Sequence, residues 1–146
     1  MRYISFFLFS IFFCASCTST VESAKASLMG VWKVRMVSKY TPSTGLSEED
    51  KSGVGEFEFT ENNCDYTFNF ANVNEENNFE YTFEVSKENA GFTSIDRFDI
   101  KGEENYRVRF GDQTSDSHKD ASEMTLERTI DNDSTVFEYI ISLVKI

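Results

Sequence analysis

Apolar and polar residues alternate with a period of two along most of the chain from Val31 onward. In 55–60, Phe57 and Phe59 alternate with glutamates, and in 65–71 three aromatic residues alternate with polar ones. This period is typical of half-buried antiparallel strands, and the many aromatic residues favour the same structure. The pattern predicts eight strands, at 31–40, 55–60, 65–71, 79–85, 92–100, 105–110, 122–129 and 135–145.

The polar segments between these strands predict the turns. Residues 72–78 are expected to form one of them, and 61–64 a short hairpin loop in which Asn63 best accepts a positive φ. Apolar residues an odd step apart predict a bulge near 95–97. The stretch 41–53 is predicted to be a longer connection after the first strand, the kind of segment where function is often placed.

Eight sequential strands with one apolar face each must bury that face. Closing the sheet on itself buries it and also pairs the backbone groups of the two edge strands. We therefore expect an all-β fold, an eight-stranded antiparallel up-and-down barrel, with a flattened barrel or a two-sheet sandwich as the rival. A barrel of this size is either filled by side chains or holds one small ligand. The residues predicted to line such a ligand pocket are Met36, Phe57, Phe59, Tyr66, Phe68, Phe70, Tyr81, Phe83, Tyr106 and Tyr139.

Charge and composition narrow the function classes. The 146 residues include 25 acidic and 14 basic side chains, a formal charge of −11 that repels phosphate backbones and argues against nucleic-acid binding. Nucleophile and phosphate-loop motifs are absent, and the single histidine, His118, lies in a loop without the spacing of a metal site. We expect no enzyme activity, no catalytic residue, no metal and no cofactor.

The first 17 residues have the order of a signal peptide. Arg2 precedes an apolar stretch, 4–13, that is shorter than the roughly 20 residues of a membrane-spanning helix. The segment 14–17, Cys-Ala-Ser-Cys, resembles the lipobox of bacterial lipoproteins, although Cys14 stands where an aliphatic residue is usual. The resemblance implies that Cys17 is lipidated and becomes the first mature residue; ordinary cleavage nearby, leaving a free thiol, is the alternative.

Lipidation at Cys17 would fix the chain to a membrane, since several acyl chains exceed what stable anchoring needs. Thr18, in place of the aspartate that retains lipoproteins at the inner membrane, favours the bacterial outer membrane, facing the periplasm, with surface display left open. The predicted organisation is a signal peptide at 1–16, a lipidated cysteine and tether at 17–27 with one helical turn near 24–29, and the barrel domain at 28–146.

Gly30-Val31-Trp32 resembles the G-x-W opening of lipocalin-like proteins. Together with the lipobox, the phenylalanine-rich hairpin at 57–70 and the apolar end of the last strand, it makes the chain similar to the small lipocalin-like lipoproteins of Bacteroidota. The resemblance implies that Gly30 and Trp32 close one end of the barrel, with Trp32 usually beneath an arginine near the end of the last strand. Neither Arg128 nor Lys145 is singled out for that position.

Two functions follow from these observations. The first is a membrane-anchored envelope lipoprotein whose barrel binds a small hydrophobic or amphipathic ligand, oriented by tyrosine hydroxyls. The second is a non-enzymatic, solid-core barrel that acts through protein–protein interaction in the cell envelope. The sequence names neither the ligand nor the protein partner.

Overall fold

The computed structural model describes residues 20–91, 93–111, 121–132 and 135–146. The predicted signal peptide, the lipobox with Cys17 and the loop with His118 lie outside these residues. Residues 20–28 form a helix, α1. No helix in the described part of the chain is both long enough and apolar enough to cross a membrane.

Nine strands follow α1 in the described residues. They are β1 (Gly30–Thr41), β2 (Leu46–Asp50), β3 (Gly55–Phe59), β4 (Asn63–Phe70), β5 (Val73–Ala90), β6 (Thr93–Gly102), β7 (Tyr106–Phe110), β8 (Glu123–Asn132) and β9 (Thr135–Lys145).

Eight of these strands form a closed, barrel-like ring with antiparallel neighbours. Its order is β1, β3, β4, β5, β6, β7, β8 and β9, and β9 pairs back onto β1, so that Val34 lies opposite Leu143. β2 lies outside the ring and pairs with the second half of β1. The predicted all-β antiparallel fold with eight strands in a ring is confirmed, and the two-sheet sandwich is wrong because the β1–β9 ladder closes the sheet.

The predicted bulge in β6 is wrong, and a bulge lies in β1 instead. The β5–β6 register runs without interruption through Ile95, whereas the β1–β9 register shifts between Val34 and Met36. Met36 pairs with Ser142 and faces outward, while Val37 takes the inward position and is 1% exposed. The prediction that Met36 lines the interior is therefore wrong, because one extra residue reverses the side-chain alternation.

Of the predicted turn at 72–78, only Asn72 lies in a turn, and residues 73–78 form the first part of β5. The turn between β4 and β5 consists of Ala71 and Asn72, both with positive φ (51° and 67°), as a two-residue hairpin requires. Asn63 lies in β4 and does not have the positive φ expected of it. The sequence of this part of β5 does not alternate between apolar and polar residues, because polar Asn77 occupies an inward position opposite Tyr66.

The predicted long connection at 41–53 contains β2, which folds back on β1 as a hairpin. Asp50 ends this strand and accepts the backbone N–H groups of Ser52 at 2.8 Å and of Ala71 at 3.2 Å. The hydrogen bonds from Ser52, with the weaker one from Ala71, hold the pKa of the Asp50 carboxyl below its ordinary value. The same carboxylate therefore ties the β2 hairpin to the β4–β5 turn.

Gly55 at the start of β3 has no space for a side chain. Its φ is 139°, and a Cβ atom there would lie 2.4 Å from the Thr67 carbonyl oxygen. We expect Gly55→Ala to lower the free energy of unfolding by at least about 2 kcal/mol, measured by urea denaturation followed by circular dichroism. Gly45→Ala is the control, because Gly45 also has a positive φ (69°) but no neighbour within 4 Å. Equal losses in the two variants would contradict the crowding argument.

Candidate functional site

Nine of the ten predicted pocket residues face the interior of the ring, and they pack against one another. Phe83 and Tyr139 are partly buried, and the other seven are buried: Phe57, Phe59, Tyr66, Phe68, Phe70, Tyr81 and Tyr106. The Phe57 ring stacks on Tyr66 with a centroid distance of 4.7 Å and meets Tyr106 edge-on at 6.4 Å. These aromatic rings therefore pack against one another in the interior that the sequence left open to a ligand.

Glu104 places a carboxylate inside the ring from the turn between β6 and β7. It is 8% exposed and accepts hydrogen bonds from the hydroxyls of Tyr66 at 2.9 Å and Tyr106 at 2.5 Å. Asn77 Nδ2 donates to it at 3.1 Å, and Arg128 Nη1 lies 2.8 Å from its Oε2. Four side chains thus satisfy both carboxylate oxygens, as a buried acid requires.

The wall of the ring has a notch at this turn, because β6 and β7 stop short of their neighbours. β6 ends at Gly102 and β7 begins at Tyr106. On one side, residues 73–80 of β5 pair only with β4, and on the other, residues 128–132 of β8 pair only with β9. Within the described residues no strand lies between these two edges, and we call this space the side notch.

Glu104 bridges the side notch. It binds Asn77 of β5 on one side and Arg128 of β8 on the other. Both partners point inward, since Asn77 pairs with Tyr66 and Arg128 with Tyr139. Side-chain contacts to one carboxylate therefore hold together the part of the wall where backbone pairing is missing.

A cavity of about 50 Å³ lies beside this network. It is lined by Tyr66, Phe68, Glu75, Tyr106, Arg128, Ile130, Tyr139 and Ile141. The volume suffices for about one or two water molecules, whereas small-molecule sites usually measure about 300–1,000 Å³.

The buried tyrosines predict a loss of stability at alkaline pH. Burial, reinforced by Glu104, raises the pKa of Tyr66 and of Tyr106 far above the ordinary value. In the unfolded chain they release their protons near pH 10, so stability is complete below that pH and falls as the pH rises above it. Urea unfolding between pH 8 and 11.5 should show a fall of up to about 1.4 kcal/mol per pH unit for each tyrosine.

The variant Tyr66→Phe with Tyr106→Phe serves as the comparison for this pH dependence. It is expected to be less stable at pH 8, because two hydrogen bonds to Glu104 are lost. Its stability should then fall less steeply above pH 10. An equal slope in the wild type and the variant would show that these hydroxyls do not carry the effect.

α1 covers the end of the ring at which β1 begins. Ala24 and Leu28 are completely buried, and Trp32 Nε1 donates a hydrogen bond to the Leu28 carbonyl oxygen at 2.7 Å. Lys145 Nζ lies 5.2 Å from the centroid of the Trp32 ring and donates to the Ser27 carbonyl oxygen at 2.8 Å. The helix, the tryptophan and the last residue of β9 therefore form one cap.

Of the two cations considered for the position near Trp32, Lys145 occupies it, and Arg128 belongs to the Glu104 network. Gly30 has a φ of 115°, a conformation that favours glycine. α1 is longer than the single turn expected at 24–29 and extends through most of the segment predicted to be a tether.

A groove of about 540 Å³ crosses the outer face of β6, β7, β8 and β9 and reaches the side notch. Four of the five arginines in the described residues line it, namely Arg97, Arg107, Arg109 and Arg128. Its other lining residues are Asp99, Lys101, Asn105, Tyr106, Glu127, Thr129, Glu138, Tyr139 and Ile140. Three residues, Tyr106, Arg128 and Tyr139, line both this outer groove and the inner cavity.

Each arginine of the outer groove is paired with a carboxylate. Arg97 binds Asp99 through two contacts, at 2.8 and 3.1 Å, and Arg109 Nε lies 2.7 Å from Glu127 Oε1. The four pairs are Arg97–Asp99, Arg107–Glu88, Arg109–Glu127 and Arg128–Glu104.

Cys64 is completely buried in β4. Burial, with smaller contributions from Glu104 and Asp65, raises the pKa of its thiol far above the ordinary value. The thiolate needed for reactivity is therefore disfavoured. Within the described residues no group of three His, Cys, Asp or Glu side chains is arranged to hold a metal ion.

Sequence reasoning missed Glu104 and the outer groove. Arg128 carried a usable signal, because it follows Met124 and Leu126 at the inward spacing of β8. Arg107 and Arg109 alternate with buried residues of β7 and so belong to the outer face. Glu104 carried no signal, since a glutamate in a polar turn is usually solvated.

Comparison of the chain with protein-family models, with curated proteins and with solved structures finds no match.

Proposed function

We propose that the protein is a non-enzymatic lipoprotein of the bacterial cell envelope that acts by binding another envelope protein. Lipid at Cys17 would anchor it to the outer membrane, and the body that follows α1 would present the binding surface. The observation that supports this function best is the packing of the interior: stacked aromatic rings and the Glu104 network lie beside a cavity of only about 50 Å³.

Binding of a small hydrophobic ligand inside the ring stays a second prediction. It would require rings such as Tyr66 and Phe68 to move away from the cavity they now line. Tyr66 is held by Glu104 at 2.9 Å and by Phe57 at a centroid distance of 4.7 Å. Opening the interior would therefore break several contacts at once.

The end of the ring opposite α1 is the surface best suited to a protein partner. β1 starts beside α1 and runs away from it for 12 residues, about 40 Å if fully extended. Four exposed apolar side chains lie at that distal end: Tyr40, Leu46, Val54 and Val73, between 37% and 64% exposed. Their exposure favours this end of the ring as the surface for a protein partner.

Anchoring has a direct test. Cys17→Ser should move the protein from the membrane pellet to the soluble fraction of lysed cells, because the acyl chains would be lost. Replacing the buried Cys64 with serine is the matched control and should leave the pelleting unchanged. A Cys17→Ser protein that still pellets would show that lipid at this cysteine is not the anchor.

The surface-binding function is tested by site-specific photocrosslinking in intact cells. A benzophenone amino acid at Leu46 or Val73 should give one discrete adduct, and the same group at Lys33 or Glu58, near α1, should give none. Native mass spectrometry of the protein purified from its own envelope should show only protein and its attached lipid. Absence of adducts, or a stoichiometric hydrophobic molecule in the spectrum, would overturn the proposal.

A further inference from the structure

We infer that the outer groove binds a neutral, polyhydroxylated ligand, a glycan. The groove lies on the side wall, across β6 to β9, and adjoins the distal end where its lining residue Glu138 pairs with Tyr40. Its volume of about 540 Å³ lies within the usual size of a small-ligand site.

The polar side chains of the outer groove are held in fixed positions. The side chains of Arg97, Arg107, Arg109 and Arg128 are only 25–38% exposed, and each contacts a carboxylate. Groups that are ordered before a ligand arrives lose little conformational entropy on binding. An isolated surface ion pair holds its two side chains only weakly. In the outer groove four ion pairs lie close together, so the side chains restrict one another.

The outer groove offers hydrogen-bonding positions of both kinds. A guanidinium has five N–H donors, and the ion pair with Glu104 uses one nitrogen of Arg128. The paired carboxylates also keep lone pairs as acceptors. Lys101 adds a donor and Glu138 an acceptor, and neither has an ion-pair partner in the part of the chain that the structure describes.

Charge in and around the groove is nearly balanced. Five cationic side chains line it, against three lining carboxylates and two more, Glu88 and Glu104, that pair with its arginines from beside it. An anionic ligand would meet these carboxylates and the overall charge of −11. A cationic ligand would meet the arginines, and an apolar ligand would leave the charged groups without water.

A sugar hydroxyl both donates and accepts hydrogen bonds, so it can bridge a carboxylate and a guanidinium of one ion pair. Ile140, at the edge of the groove and 37% exposed, offers apolar surface for the C–H face of a sugar ring. A neutral glycan therefore satisfies the donors, the acceptors and the apolar edge together.

The glycan site goes beyond the proposed function, because a glycan in the groove and a protein partner at Leu46 or Val73 are separate ligands. Photocrosslinking at Leu46 and glycan binding in the groove can each fail while the other succeeds.

The test uses the full chain, purified in a neutral detergent, on a glycan array. The array carries neutral glucans, mannans, galactans and chitooligosaccharides, together with uronate-bearing and sulfated glycans. We expect retention of one or more neutral glycans. Retention of acidic glycans alone, or of none of the neutral ones, would overturn the inference.

Matched variants locate the binding. The double variant Lys101→Ala with Glu138→Ala removes one exposed cation and one exposed anion from the groove. It should weaken binding of the retained neutral glycan about tenfold or more. Lys33→Ala with Glu58→Ala makes the same change in charge on exposed residues outside the groove and should bind like the wild type. A groove variant that unfolds at the wild-type temperature and binds with wild-type affinity would also overturn the inference.

Discussion

Replacing Glu104 with alanine is expected to lower the free energy of unfolding by about 3–5 kcal/mol. The change leaves the guanidinium of Arg128 half-buried without its carboxylate and deprives the hydroxyls of Tyr66 and Tyr106 of their acceptor. It also removes the side chain that joins β5 to β8 across the side notch. Urea denaturation at pH 7, followed by circular dichroism, measures the loss.

Arg128→Met is the comparison for this prediction. It removes the cation but leaves Glu104 with the donors of Tyr66, Tyr106 and Asn77. We therefore expect a smaller loss, about 1–3 kcal/mol, and a double variant whose loss is less than the sum of the two single losses. A Glu104→Ala protein within about 1 kcal/mol of the wild type would show that the network does not hold the notch.

Replacing Trp32 with alanine should lower the free energy of unfolding by about 3–5 kcal/mol. Trp32 is completely buried, and the variant also loses the hydrogen bond to the Leu28 carbonyl and the contact with Lys145. We expect α1 to separate from the ring, so that the backbone amides of residues 24–28 exchange with solvent faster. Circular dichroism must report the unfolding, because Trp32 is the chain's single tryptophan.

Trp32→Phe separates apolar packing from the polar contacts of the indole. Phenylalanine keeps most of the buried ring but has no N–H to donate to Leu28, so a loss of about 1–2 kcal/mol is expected. If the phenylalanine variant loses as much as the alanine variant, packing of the ring contributes little to the cap. Lys145→Met then reports the contribution of the cation.

These two predictions concern opposite parts of the ring. Trp32 and α1 close one end through packing of apolar side chains, while Glu104 secures the side notch through hydrogen bonds and an ion pair. The distal end, with Leu46 and Val73 exposed, lies away from the α1 cap but includes one edge of the side notch, which residues 73–80 of β5 form. A partner bound at the distal end would leave the α1 cap undisturbed.

Some of the candidate site was predictable from the sequence. The inward positions of Phe57, Tyr66 and Phe68 follow from strict alternation, since successive side chains of a strand point to opposite faces. The same alternation predicted an inward position for Met36, and this was wrong because the bulge in β1 shifts the alternation by one residue. A bulge depends on how β1 pairs with β9, more than 100 residues away in the chain, and local spacing does not report it.

The sequence by itself determined the strand-forming segments, the antiparallel pattern and the aromatic side of each strand, because these depend on residue type and on a period of two. Tertiary structure decided which strands meet: the closure of β1 on β9, the early end of β6 and β7, and the placement of Glu104 between β5 and β8. It also decided that aromatic rings pack against one another in the interior and that four arginine–carboxylate pairs collect at one outer groove. The physical reason is that cavities, grooves and buried charges are made by residues distant in sequence, whose packing and hydrogen bonds exist only once the ring has closed.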